Sequence, residues 1–191
     1  ISSCLLGQEV RYNGGHKHSQ LCTTQLAQYF EFVPTCPELG AGLGVPRPAI
    51  RLTGDPAAPR AVHVKDATVD VTARLENYAQ ERIPQLNNLN GYIFIKNSPS
   101  CGLFRVKVYQ DNGYPHADSG RGIFAAALTA AQPLLPVEED GRLQDPALRE
   151  NFITRVFAWH NWHELYATGL SASGLINLHS RYKYALMAHS P

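Results

Sequence analysis

The sequence predicts an α/β protein with a mostly parallel sheet flanked by helices, followed by an all-α C-terminal region that reads as cut short. Three observations carry this prediction. Short β-branched or aromatic runs alternate with helix-period segments up to about residue 135. The most apolar run, Gly91-Tyr92-Ile93-Phe94-Ile95-Lys96, stops at Ser98-Pro99-Ser100-Cys101-Gly102, as a buried strand delivering a thiol at its end would. After Asp145-Pro146 the pattern becomes helical throughout.

Taken in order, Ile1 to Leu6 has the composition of a first strand, and Asn13-Gly14-Gly15 marks a turn. Leu21, Leu26, Tyr29 and Phe30 give a helical stripe over 18–30. Phe32-Val33 reads as a second strand entering Cys36-Pro37-Glu38. Gly40, Gly42 and Gly44 then suit close backbone approach, and Pro46-Arg47-Pro48 resists helix. Ile50–Leu52 and Ala61–Val64 look like a hairpin. Asp70 is placed to cap a helix over 70–86, Val106–Tyr109 alternates as a strand, and an Ala-rich helix runs from Ile123 to Gln132. Domain boundaries follow: 1–135 as the α/β domain, 136–145 as an acidic linker, and 146–191 as the start of a helical domain.

A chain of 191 residues can bury a real core. No segment approaches the length needed to cross a bilayer. Opening on Ile1 without a basic and apolar leader, it reads as a piece of a longer chain, and four scattered cysteines point to a reducing cytoplasm. Formal charge is +1, which by itself predicts no strong pull on nucleic acid. Residues 1–146 hold 13 Lys/Arg against 14 Asp/Glu and residues 147–191 hold 4 against 2, so any polyanion bias is C-terminal and weak. Histidines 160, 163, 179 and 189 make no metal-helix motif.

Cys4, Cys36 and Cys101 each follow an apparent strand, where open α/β sheets bind ligands. Cys22 lies on the early helix and reads as a packed thiol. The plainer reading of each lone cysteine is a small buried hydrophobe, but three at strand ends suggest one site. Zinc is the main chemical rival, although its paired C-x₂₋₄-C spacing is absent. Three thiolates on a [4Fe–4S] cube would leave one iron open, with Glu38 the best-placed acid/base and Ser98 and Ser100 flanking the third thiol. Arg11, Arg47 and Arg121 sit in Gly/Pro-rich loops where they could meet an anion or a base; Gly120-Arg121-Gly122 before a helix could also hold a phosphate on backbone amides.

Ser3-Cys4-Leu5-Leu6-Gly7 with Arg11-Tyr12-Asn13-Gly14, Cys36-Pro37-Glu38 with Gly42-Leu43 and Pro46-Arg47, and Ser98-Pro99-Ser100-Cys101-Gly102 together resemble the thiouracil desulfidase (TudS) family over about 1–132. Residues from Arg149 through His179-Ser180-Arg181-Tyr182-Lys183 to Pro191 look like the opening of the YbgA-like helical domain often fused to it, with Tyr182 where a histidine is expected. The resemblance implies a [4Fe–4S] cluster on Cys4, Cys36 and Cys101, a catalytic pair of Glu38 and Ser98, and non-redox desulfuration of a thiolated nucleobase. For the fused architecture it implies 4-thiouridine in tRNA as the substrate; for stand-alone members, free thiouracil. An RNA-binding module with a structural metal site is the reading from another class.

Overall fold

The computed structural model describes residues 1–189, so Ser190 and Pro191 of the C-terminal motif lie outside the described residues. Among the described residues six strands and five α-helices follow in the order α1 (Pro37–Gly40), β1 (Ile50–Thr53), β2 (Arg60–His63), α2 (Thr72–Arg82), β3 (Tyr92–Phe94), β4 (Val106–Tyr109), β5 (Pro115–Gly120), α3 (Ile123–Ala131), β6 (Val137–Glu139), α4 (Pro146–Thr168) and α5 (Ala172–His189).

The architecture is α/β with helices flanking the strands, and parallel pairing is concentrated around β3. There β6 runs parallel to β3 on one side. On the other side the Ser2 amide donates to the Ile93 carbonyl (3.0 Å), and Ser2 in turn bridges Thr35 in parallel. The second sheet, ordered β2-β1-β4-β5, is mixed: β1 is antiparallel to β2 and parallel to β4, and β4 is antiparallel to β5. Strand β5 has no counterpart in the expected elements because its residues, Pro115-His116-Ala117-Asp118-Ser119-Gly120, are mostly polar and exposed.

Two early elements are shorter than expected. Ile1–Leu6 contributes one bridging residue, Ser2, and then winds into a 3₁₀ turn over Ser3–Leu6 that ends on Gly7 at φ 86°. The expected 18–30 helix breaks into a π turn (Leu21–Gln25) and a 3₁₀ turn (Leu26–Gln28). Within it Thr23 and Thr24 donate their hydroxyls to the carbonyls of Ser19 and Gln20, a competition for backbone acceptors that loosens helices. The N-cap of α2 is Val71 and not the expected Asp70, which lies one residue earlier and accepts the Thr72 amide on Oδ1 (2.8 Å).

The segment 136–145, expected as a linker, carries a strand. Val137–Glu139 is strand β6, and Glu139 Oε1 accepts the amides of Leu103 and Phe104 (2.9 and 3.0 Å). In the acidic run Glu138 pairs with Arg142 and Glu139 with these amides, while Asp140 Oδ1 is buried without a partner. Asp145 then caps α4, accepting from Ala147 and Leu148. Phe152 and Val156 of α4 pack into a core cluster with Ile1, Leu5 and Leu143, so the first half of α4 is built onto the α/β unit. Helix α5 touches α4, where Asn161 donates to the Tyr182 hydroxyl, and leaves Leu175, Ile176, Leu186 and Met187 exposed. No helix among the described residues is long and apolar enough to cross a membrane.

One joint sets the position of the Cys101 loop. The first amides of α3 are spent on it: Gly122 donates to the Gly102 carbonyl (2.8 Å), Ile123 to Pro99 (3.0 Å) and Phe124 to Ser100 (3.0 Å). A Cβ at position 122 would lie 2.5 Å from the Ser100 carbonyl carbon and 2.8 Å from the Cys101 nitrogen. Neither backbone atom can move aside without moving the thiol. Gly122→Ala is therefore expected to cost about 1–3 kcal/mol, read as a lowered urea midpoint with an unchanged slope.

Candidate active site

Cys4, Cys36 and Cys101 line one cavity of about 780 Å³, together with Glu38, Ser98, Ser100, Arg11 and Arg47. The parallel wall explains the convergence. Thr35, Ser2 and β3 run side by side, and each is followed by a turn that carries one of the thiols off the carboxyl end of the sheet. Cys36 follows Thr35 directly, Cys4 lies in the 3₁₀ turn after Ser2, and Cys101 lies in the loop bolted to α3. Cys22 is absent from the cavity wall; it is fully buried among Ile1, Leu5 and Leu26.

Facing the thiols is a chain of polar contacts with defined donors. Arg47 donates from Nε to Glu38 Oε2 (2.9 Å), with its Nη2 at 2.7 Å from the same oxygen. The other carboxylate oxygen, Oε1, accepts the Ser100 hydroxyl at 2.6 Å. Ser98 Oγ accepts the amides of Cys101 (3.0 Å) and Ser100 (3.3 Å) and lies 3.0 Å from Ser100 Oγ. Because the single Ser100 proton goes to Glu38, Ser98 is the donor in the serine pair. The result is a directional series of hydroxyls from Ser98 through Ser100 to Glu38.

Arg47, expected as a substrate contact, lines the cavity and is engaged by groups of the protein itself. It is 9% exposed, and its guanidinium also donates to the carbonyls of Gly44 (2.7 Å) and Val10 (3.0 Å), so its donors fix Glu38 and the glycine loop. Arg11 does line the cavity, stacked over Tyr12 at 5.6 Å. Arg121 does not; it lies on the surface and donates to Thr129. The phosphate reading of Gly120-Arg121-Gly122 fails for the same reason, since the α3 amides are already occupied by carbonyls of the Cys101 loop.

Burial pushes all three cavity thiols up. Cys4 rises to about 11, with the Cys36 charge as the second cause; Cys36 rises mainly by burial; Cys101 rises most, through burial and then the charges of Cys36 and Glu38. All four cysteines are free. Among the described residues no three His, Cys, Asp or Glu side chains close on a single metal ion. Thiols arranged around a roomy cavity, mutually sensitive but too spread for one ion, fit a multi-atom soft group better than a mononuclear zinc.

The sequence reading missed most of the cavity's charge. Lys17, Arg51, Lys96, Arg105 and Lys107 also line it, against Asp140 and Glu38. Asn97 and Arg105, the two non-glycine residues with positive φ (59° and 54°), both belong to this wall. Such backbone is uncommon outside glycine and collects at functional sites. Their available signal was position: both flank Ser98–Gly102.

A sheet whose carboxyl end opens three thiols and the hydrogen-bonded Glu38, Ser100 and Ser98 onto one cavity defines an α/β protein with a thiol-lined site. The chain belongs to the 2-thiouracil desulfurase family, whose model matches residues 1–140. It is 32% identical over 137 residues to the uncharacterized protein YbbK of Bacillus subtilis (strain 168), covering 69% of this chain and 85% of that one. Among solved structures it is similar to the [4Fe-4S]-dependent thiouracil desulfidase TudS, with a TM-score of 0.60 and 29% identity over 78% of this chain and 95% of TudS. The family match covers the α/β unit and takes in β6.

Proposed function

We propose that this chain is an iron–sulfur-dependent desulfidase that replaces the sulfur of a thiolated nucleobase with oxygen, acting on 4-thiouridine in tRNA. The observation that carries the chemistry is the opening of three thiols and the Ser98–Ser100–Glu38 series onto one cavity. Cys4, Cys36 and Cys101 would hold a [4Fe–4S] cluster, which supplies a thiophilic iron without a protein thiolate of its own. Family membership and the likeness to TudS support that cofactor.

The protein's own residues then handle water and protons. Water adds to the carbon bearing sulfur, the carbon–sulfur bond breaks, and sulfide departs, with no change in electron count. Glu38 takes the proton from the attacking water, held in place by Arg47. Ser98 and Ser100 pass a proton between the bound base and Oε1. Two backbone amides fix Ser98 Oγ, so its hydroxyl offers one donor in one direction.

Support for a nucleic-acid substrate comes from the wall itself: Arg11, Lys17, Arg51, Lys96, Arg105 and Lys107 exceed what a neutral free base needs and suit phosphates. The family description favours free thiouracil as the second reading. The test is sulfide release from thiolated tRNA and from 2- and 4-thiouracil, using anaerobically reconstituted protein over a range of salt. Turnover of tRNA that weakens as salt rises is expected. Turnover of free bases alone would move the substrate to the second reading, and tRNA binding without sulfide release would leave only an RNA-binding module.

A further inference from the structure

Beneath the thiols lie hydroxyls that the proton relay does not use. Thr35, immediately before Cys36, lines the cavity and is only 2% exposed. Its main chain is fixed on both sides, the amide donating to the Ile1 carbonyl (2.9 Å) and the carbonyl accepting from Ser3 (3.0 Å). Its Oγ1 is nevertheless buried without a partner, and so is the hydroxyl of Tyr92 on β3. The Tyr92 hydroxyl lies close to those of Thr35 and Ser2 and senses the Cys101 thiol, but none of these approaches completes a hydrogen bond. Ser2 Oγ accepts the Ile95 amide and lies within reach of the Cys101 thiol.

Leaving a buried hydroxyl unpartnered costs about 1–3 kcal/mol, and Val and Phe would fill the same two volumes without that cost. Thr35 lines the thiol cavity, and Tyr92 shares a buried cluster with Cys101 behind that wall.

Resting on the reading that Cys4, Cys36 and Cys101 hold a [4Fe–4S] cluster, we propose that Thr35 and Tyr92 are positioning residues whose O–H groups donate hydrogen bonds to the cluster's sulfur and thiolate atoms. Donors to sulfur stabilise the more negative oxidation state and raise the reduction potential. In a non-redox desulfidase the same donors stabilise the charge of the sulfur-rich site. Thr35 directly precedes Cys36, and Tyr92 shares its buried cluster with Cys101.

The experiment is a spectroscopically monitored redox titration of the full chain, reconstituted anaerobically, as wild type, Thr35→Val, Thr35→Ser and Tyr92→Phe, with iron and sulfide measured on each. Thr35→Val and Tyr92→Phe are expected to shift the potential to more negative values, and Thr35→Ser to restore it. Equal potentials in all loaded proteins would overturn this inference while leaving the desulfidase reading intact. A Thr35→Ser shift equal to that of Thr35→Val would overturn it too, since the effect would then be steric. A wild type that takes up no cluster would overturn both readings. If Tyr92→Phe fails to fold, the two Thr35 variants decide alone.

Discussion

Glu38→Gln is expected to lose about 10²–10⁴-fold in desulfuration rate, the usual range for removing a positioned acid/base, while keeping its iron. The geometry makes Gln the informative substitution. Glu38 accepts from Arg47 through one oxygen and from Ser100 through the other, and both partners of the ion pair are largely buried. Glutamine keeps the shape and, with its oxygen toward Arg47 and its amide donating to Ser100 Oγ, can keep both contacts, but it cannot take a proton from water. Alanine would also strand the Arg47 guanidinium, and breaking a buried pair from one side costs about 3–5 kcal/mol. A Glu38→Ala result would therefore mix lost catalysis with lost folding. Single-turnover sulfide release with iron quantified on the same sample gives the measurement. Full activity in Glu38→Gln would remove Glu38 from the acid/base role.

The second large effect is expected from the cysteines as a set. Cys101→Ala should abolish iron–sulfur absorption and with it all sulfide release, whereas Cys22→Ala should retain both. Cys101 is one of three thiols facing the cavity, and its loop is held by α3 amides, so no neighbouring cysteine can take its place. Cys22 is just as thoroughly buried but packs against Leu5 and Leu26, and its loss is a matter of core volume. Iron content of the two variants after identical reconstitution separates the roles. Iron retained by Cys101→Ala, or lost only by Cys22→Ala, would reverse the assignment.

Much of this site was legible in the sequence because its chemistry is carried by motifs whose neighbours are apolar. Gly91–Lys96 could hardly be anything other than a buried strand, and Ser98-Pro99-Ser100-Cys101-Gly102 had to turn. The illegible parts share a physical cause: they depend on partners distant in sequence. Arg47 could not be told from a substrate-binding arginine until Glu38, nine residues earlier, was seen to occupy its Nε and Nη2. The acidic run at 138–140 has the composition of a linker, yet Glu139 is consumed by amides more than thirty residues away. Arg121 failed the other way, having a plausible local motif whose amides were already claimed by the neighbouring loop. Strand β5 was invisible because its pairing with β4, rather than its own apolar content, makes it a strand.

Strand β6 bears on modularity. If C-terminal helices are gained or lost by recombination in this family, the breakpoint has to fall after residue 139. A cut at 135 would strip β3 of its parallel neighbour and uncover the edge of Tyr92-Ile93-Phe94, three buried apolar residues with unpaired amides and carbonyls. Such an edge recruits other chains. The short strand that looked like a spacer thus guards the sheet against self-association.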